Sequence, residues 1–204
     1  IVLLDNDQQK LKTYGEISRE LSRRLDPDLT FEVTSDARAA LTGVDYIITT
    51  IRAGGDAGRL FDEQTCLAHG VLGQETTGAG GFAMAIRSVP TLVYYCTLAR
   101  EVANPGHLIF NFTNPSGIIT QALRSKGFDN VYGICDAPSG FIKQLEEILE
   151  IPYGTLDIEC YGLNHLSWFR NAKVNGRDVQ RELLDNPRTY EHSEMRLFTR
   201  EMAR

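Results

Sequence analysis

The stretch 108–150, LIFNFTNPSGIITQALRSKGFDNVYGICDAPSGFIKQLEEILE, decides the fold. An apolar run at 108–113 ends in Asn114-Pro115, and 118–126 repeats apolar residues at helical spacing. A second short apolar run at 131–135 is followed by another helical pattern at 139–150. Strands that alternate with helices of about ten residues or more form βαβ units, because the crossover helix returns the chain to the same edge of a parallel sheet. The expectation is therefore an α/β chain built on a doubly wound parallel sheet.

Upstream the alternation continues. Residues 1–4 read as a strand ended by Asp5-Asn6-Asp7, and Gln8–Leu25 as an amphipathic helix stopped at Asp26-Pro27. Residues 29–34 form a short alternating strand, Asp36 caps a helical turn over Ala37–Leu41, and 44–51 is a continuous β-branched run suited to a strand covered on both faces. A helix is expected over 82–103, bent or split at Pro90. After Ile151 the pattern changes to two strands, 156–161 and Leu166–Val174, with Asn175-Gly176 as a hairpin turn. Residues 179–204 are polar and helical in pattern. The division expected is 1–152 for the parallel-sheet domain and 153–204 for the beginning of a second, α+β domain. The chain opens on IVLLDND without Met, so a preceding strand and its Gly-rich loop are expected upstream of Ile1.

The 204 residues are 42% hydrophobic and 24% charged, ordinary for a globular chain, and carry a net charge of −6. That balance lacks the basic footprint of a nucleic-acid or anionic-membrane binder, so an anionic ligand must be held by a few placed cations. No apolar run approaches the roughly 20 uncharged residues of a membrane span. Cys66, Cys96, Cys135 and Cys160 form no CxxC pair and read as reduced thiols of a cytoplasmic protein.

Several residues carry candidate chemistry. Asp5 suits either the ribose hydroxyls of a dinucleotide or the cap of the following helix. Gly54-Gly55, just after a strand, suits a loop approaching a pyrophosphate, or a plain turn. Glu75 lies in QETTGAGG (74–81), a glycine-dense loop that opens a helix and offers backbone amides to a ligand. Asn111 and Asn114 flank a strand end, where doubly wound sheets collect ligands. Cys135-Asp136 ends the next strand, and Asn164-His165 lies thirty residues later, which spacing alone cannot join into a metal site.

Four segments in order, GQETTGAGGF, NFTNPSG, GICDAPSG and YGLNH, closely resemble glycoside hydrolase family 4. The resemblance runs over nearly the whole chain. It implies a Rossmann-like sheet of the lactate/malate dehydrogenase type and an NAD- and Mn2+-dependent glycosidase, most like the 6-phospho-β-glucosidases. It also implies a sugar-phosphate substrate and a homo-oligomer, dimer or tetramer. Such enzymes depart from two-carboxylate hydrolysis: NAD oxidises the sugar at C3, a base takes the acidified C2 proton, the C1 substituent is eliminated, water adds to the unsaturated intermediate, and hydride returns from the cofactor to C3. Cys135 and His165 correspond to the metal ligands; softness alone would suit Zn, whereas the family prefers Mn. Asp136 corresponds to the acid or to a group that polarises the metal-bound site, Asn114 to a partner of the sugar hydroxyls near the nicotinamide, and Arg59 to a contact of the sugar phosphate. Asp5 and Asn6 correspond to the ribose end of the site, with Gly54 and Asn111 also on the cofactor side; Glu75 and Asn164 are further hydroxyl partners. Tyr190 precedes the family's usual catalytic tyrosine and is not assigned as the base. Asp136 is the residue of α-specific members, while TTGAGGF and APSGF look β-type, so an α-glucosidase remains an alternative. A 2-hydroxy-acid dehydrogenase, or a non-catalytic sensor on the same fold, are the remaining rivals.

Overall fold

The computed structural model describes residues 1–192. The expected helix over 179–204 is described only as α7 (Gln180–Asp185) and α8 (Pro187–His192); its remainder, 193–204, lies outside the described residues. The chain divides into two compact units, Ile1–Gly133 and Ile134–Arg204.

The first unit is the parallel part. β1 (Val2–Leu4) pairs with β2 (Glu32–Thr34), and β3 (Tyr46–Thr49), β4 (Leu108–Asn111) and β5 (Val131–Gly133) pair in that order, all parallel. Between them run α1 (Gln8–Leu25), α2 (Ala37–Leu41), α3 (Gly55–Ala68), α4 (Gly78–Val102) and α5 (Ser116–Ser125). The core is Leu41, Leu92, Ala99, Ile109, Ile119, Leu123, Phe128 and Val131, where α4 and α5 cover the sheet. Asp7 caps α1, accepting from the Gln9 and Lys10 amides at 2.9 and 3.1 Å. Asp36 does the same for α2 at 2.9 and 3.1 Å.

Four expectations need correction. α3 starts directly at Gly55, where only a turn was expected; its N-cap, Gly54, has φ +83° and no side-chain cap, so the usual start signal is missing. α4 begins at Gly78 rather than at 82, and it passes Pro90 as one helix. The lost hydrogen bond at an interior proline costs about 3 kcal/mol; burial of Met84, Ala85, Leu92, Cys96 and Ala99 along the same helix outweighs it. α4 is also long and apolar enough to cross a membrane by length and composition, although Arg87, Arg100 and Glu101 interrupt its apolar run. Leu92 and Ala99 are nonetheless fully buried in the core, and Arg87 pairs with Asp62 of α3. Finally, β3 is covered on one face only among the described residues: Ile47 and Thr49 pack inward, while Tyr46 and Ile48 are exposed. The amphipathic face of α1 is likewise part-covered, with Leu11 buried but Ile17, Leu21 and Leu25 exposed.

The loop between α3 and α4 is pinned by glycines that face backbone. A Cβ on Gly73 would meet the Glu63 carbonyl at 2.4 Å; on Gly80, the Gln74 carbonyl at 2.5 Å; on Gly81, the Thr76 carbonyl carbon at 2.6 Å. The loop therefore lies against the end of α3 and the first turn of α4 with no room for a side chain. Gln74 Oε1 accepts from the Thr76 amide, from the Thr77 amide at 2.7 Å and from the Thr77 hydroxyl at 3.2 Å, which fixes the loop's entry to α4.

The second unit is antiparallel. α6 (Ala137–Leu149) packs on β6 (Leu156–Leu163) and β7 (Leu166–Val174), and β8 (Arg177–Asp178) adds to β7. Asn175 and Gly176, at φ +51° and +81°, make the tight two-residue turn anticipated between β7 and β8. Its core is Leu145, Ile148, Leu156, Ala172, Val179 and Leu183. Glu146, 2% exposed, accepts the Thr155 and Leu156 amides, both at 2.9 Å, and so sets where β6 starts.

Two substitutions test this packing by chemical denaturation. Glu146→Ala strands two backbone donors and is expected to lower stability by about 2–3 kcal/mol, with Glu146→Gln losing less. Gly81→Ala is expected to cost about 1–3 kcal/mol by overpacking, whereas Gly140→Ala in α6, with open space around its Cβ, is expected to gain about 0.5–1 kcal/mol.

Candidate active site

At the carboxyl ends of β3 and β4, side chains carry on the work of the ladder. The Thr49 hydroxyl donates to Asn111 Oδ1 at 2.9 Å, and the Ile51 amide donates to Thr113 Oγ1 at 2.9 Å. Asn111 Nδ2 donates to Thr120 Oγ1 at 3.2 Å and to the Thr113 carbonyl at 3.3 Å, and the Ser116 hydroxyl donates back to the Asn111 carbonyl at 3.1 Å. Asn111 is fully buried, and its side-chain amide is bonded to these neighbours. Its work is to hold the loop that presents Asn114, the half-buried residue before a cis bond to Pro115.

The turn after β3 is built around charge. Gly54 and Gly55, at φ +83° and +61°, adopt a conformation that a side chain would strain, and they bring the chain into the N-terminus of α3. Beneath the turn, Arg87 of α4 holds both oxygens of Asp62, Nη1 at 2.8 Å, and donates from Nε to the Ala53 carbonyl at 3.3 Å. Asp62 is 6% exposed, and its hydrogen bond raises the Arg87 pKa above the ordinary guanidinium value. On the outer side, Arg52 pairs with Glu75, and Arg59 lies 3.6 Å from the same Glu75 oxygen while donating to Glu63 at 2.8 Å. The Glu63 hydrogen bond first, and the field of Glu75 second, push the Arg59 pKa up. Arg59 and Glu75, nominated separately from sequence, are thus brought together, with Arg52 as a third member.

Asp5 stands at the end of β1 and Asn6 beside it, exposed. The helix cap belongs to Asp7, and among the described residues Asp5 accepts the Asp7 amide at 2.9 Å through Oδ1. A carboxylate at a parallel-strand end with its second oxygen outside that bond suits a diol ligand.

In the second unit, Cys135 and Asp136 lead into α6, and Asn164 and His165 form the two-residue tip between β6 and β7. His165 sits at φ +59°, a left-handed conformation that histidine tolerates better than most side chains. Cys135 Sγ and His165 Nε2 are 3.7 Å apart. An ion bound at about 2.3 Å to sulfur and about 2.1 Å to nitrogen, near the tetrahedral angle, spaces its donors by about 3.6 Å, so the pair fits one divalent metal. Asn164 Oδ1 is buried without a hydrogen-bond partner among the described residues, an oxygen donor in reserve next to the histidine. Among the described residues no third His, Cys, Asp or Glu completes a cluster. Asp136 is exposed at the N-cap position of α6, with no side-chain cap bond.

Sequence reasoning missed Arg52 and the Asp62–Arg87 pair. Neither has a local signature: Arg87 and Asp62 are separated by 25 positions on two helices, and the first of these helices was not anticipated.

Comparison with known proteins agrees with this architecture. A 6-phospho-β-glucosidase of Thermotoga maritima is 35% identical over 188 residues, covering 91% of this chain and 44% of that protein. A crystal structure of the Thermotoga maritima 6-phospho-β-glucosidase with manganese, NAD+ and glucose-6-phosphate superposes with TM-score 0.83 at 33% identity, covering 91% of this chain and 44% of that one. A phospho-α-glucosidase of Clostridium acetobutylicum is also 35% identical, over 92% of this chain and 44% of its own length. The chain spans less than half the length of these curated relatives. Lactate dehydrogenase from Eimeria maxima shares the fold alone, with TM-score 0.64 and 14% identity over 89% of this chain and 51% of that one. The sheet is therefore Rossmann-like, and because residues 1–151 match the family described as family 4 glycosyl hydrolase, the chain belongs to that family.

Proposed function

We propose that this protein hydrolyses 6-phosphoglucosides, with the β-anomer favoured, by an NAD-mediated and metal-assisted elimination at C1 followed by addition of water to the unsaturated intermediate. The observation that carries the reading is the 3.7 Å approach of Cys135 Sγ to His165 Nε2, a soft–borderline donor pair that a lactate-dehydrogenase-type oxidoreductase has no use for. When bound, NAD takes and returns hydride at C3 of the sugar while the divalent ion, Mn2+ in this reading, stabilises charge on the C2 and C3 oxygens.

The chain's own residues have separate tasks. Cys135 and His165 would hold the ion through Sγ and Nε2, and the left-handed backbone at His165 aims the ring. Asp136, exposed beside the ligand cysteine, delivers a proton to the leaving oxygen. Asp5 and Asn6 hold the adenosine ribose, and the Gly54 turn lets backbone approach the pyrophosphate. Asn114, set by the buried Asn111 behind it, orients sugar hydroxyls, as do Glu75 and Asn164. Arg59 binds the 6-phosphate, for which its planar fork of donors is suited.

The identity of the residue after Cys135 supports a second reading: Asp136 is the feature of α-specific family members, which makes a 6-phospho-α-glucosidase the alternative. One assay separates these readings. Full-length protein with NAD, Mn2+ and thiol is expected to release p-nitrophenol from the 6-phospho-β-glucoside, to stop on adding EDTA, and to accumulate no net NADH. Cleavage of the α-anomer alone selects the alternative; silence on both anomers, or net NADH formation, overturns the proposal. Cys135→Ser is expected to lower kcat/KM by at least about 100-fold, since even outer partners of metal ligands cost roughly 10–100-fold; unchanged activity would remove Cys135 from the metal site.

A further inference from the structure

Two arginines from the turn after β3 end on one carboxylate oxygen. Arg52 pairs with Glu75 Oε2, and Arg59 Nη1 lies 3.6 Å from it. The Glu75 side chain is only 16% exposed, while Arg52 and Arg59 keep 36% and 42% of theirs, so the anion is inside and the cations face outward from it. Each arginine is also fixed independently. The residue before Arg52 is tied to Thr113 Oγ1 at 2.9 Å, and Arg59 is tied along α3 to Glu63 at 2.8 Å. Arg52 has one further contact, to the exposed Asp56 at 3.4 Å. Ordinary i,i+4 pairs on a helix surface need no third partner and contribute little. A loop carboxylate that bridges two guanidiniums is a different arrangement, because it occupies the place that a phosphate would take between the same donors.

We propose that Arg52 is a second phosphate-binding residue of this protein, and that Glu75 is an internal anion that keeps Arg52 and Arg59 assembled until a phosphomonoester replaces it. A phosphate monoester carries about −1.5 to −2 charge and three acceptor oxygens, against one charge on Glu75, so it displaces the carboxylate. The released carboxylate then accepts a hydroxyl of the same ligand. The identity of that ligand as a 6-phosphosugar rests on the function proposed above; the competition between phosphate and Glu75 does not.

The test uses the full-length protein and reads binding apart from turnover. Inorganic phosphate and glucose 6-phosphate are titrated calorimetrically, and KM and kcat are measured for the aryl 6-phosphoglucoside that is cleaved. Arg52→Gln is expected to weaken both phosphate ligands at least about tenfold, the worth of a lost charge-assisted hydrogen bond, and to raise KM with little change in kcat. Arg52→Lys, which keeps the charge without the fork, is expected to recover part of the loss. Glu75→Gln is expected to tighten inorganic phosphate by about threefold to tenfold, even where it loses a sugar hydroxyl contact. Unchanged phosphate affinity in both Arg52 variants, or weaker inorganic phosphate binding in Glu75→Gln, overturns the clamp. If the parent cleaves 6-phosphoglucosides while the Arg52 variants keep its KM, the clamp falls and the function stands. If the parent binds inorganic phosphate in the way proposed but cleaves no 6-phosphoglucoside, the function falls and the clamp stands.

Discussion

The hydrogen bond from Thr49 to the buried Asn111 side-chain oxygen is the constraint on which the carboxyl end of the first unit's three-stranded sheet depends. Parallel strands stop pairing where their loops diverge, and the last backbone groups then need partners. Here side chains supply them. Thr49 and Asn111 continue the ladder by one step, Thr113 takes the Ile51 amide, and Thr120 and Ser116 tie the same asparagine to α5. Two segments leave from this fixed edge: the turn that carries Arg52 and opens α3, and the loop that presents Asn114. Their positions are set by a sealed polar network in which every bond is strengthened by exclusion of water.

Charge is then handled locally, as a chain of net charge −6 requires if it is to hold an anion. Arg87 is spent beneath the Gly54 turn, where Asp62 neutralises it and its Nε supports the Ala53 carbonyl. Arg52 and Arg59 remain on the outer side of the same turn, balanced by Glu75. One arginine thus stabilises the backbone and two present donors, all within the reach of a single strand end and the start of α3. The second unit solves a different problem with a hairpin. A two-residue tip leaves its side chains free of the sheet, and His165 accepts a left-handed backbone to meet Cys135 from a separate segment.

Local elements were legible where local physics decides them. Asp7 and Asp36 start α1 and α2, Asp26-Pro27 stops the first, and Asn175-Gly176 turns β7 into β8. α3 was not legible, because a left-handed Gly54 stands where a capping side chain would announce a helix. Pro90 misled for the opposite reason, since a strong local breaker yields when its helix is the buried centre of the unit. In the candidate site, sequence spacing could not join Cys135 to His165, which only the family motifs nominated together. Asn111 was placed on the right strand end, but its burial depends on Thr49 and Thr120, which periodicity does not reveal. Arg52 carried no signal at all, because its meaning lies in sharing Glu75 with Arg59.

The pairing of Cys135 with His165 on one divalent ion is the claim that most of the chemistry stands on, and cobalt(II) reports on it directly. Added to metal-free full-length protein, it is predicted to give a near-ultraviolet thiolate-to-cobalt charge-transfer band that vanishes in Cys135→Ser and shifts or weakens in His165→Gln. A spectrum with no thiolate band in the unaltered protein, or one that Cys135→Ser leaves intact, would contradict the account.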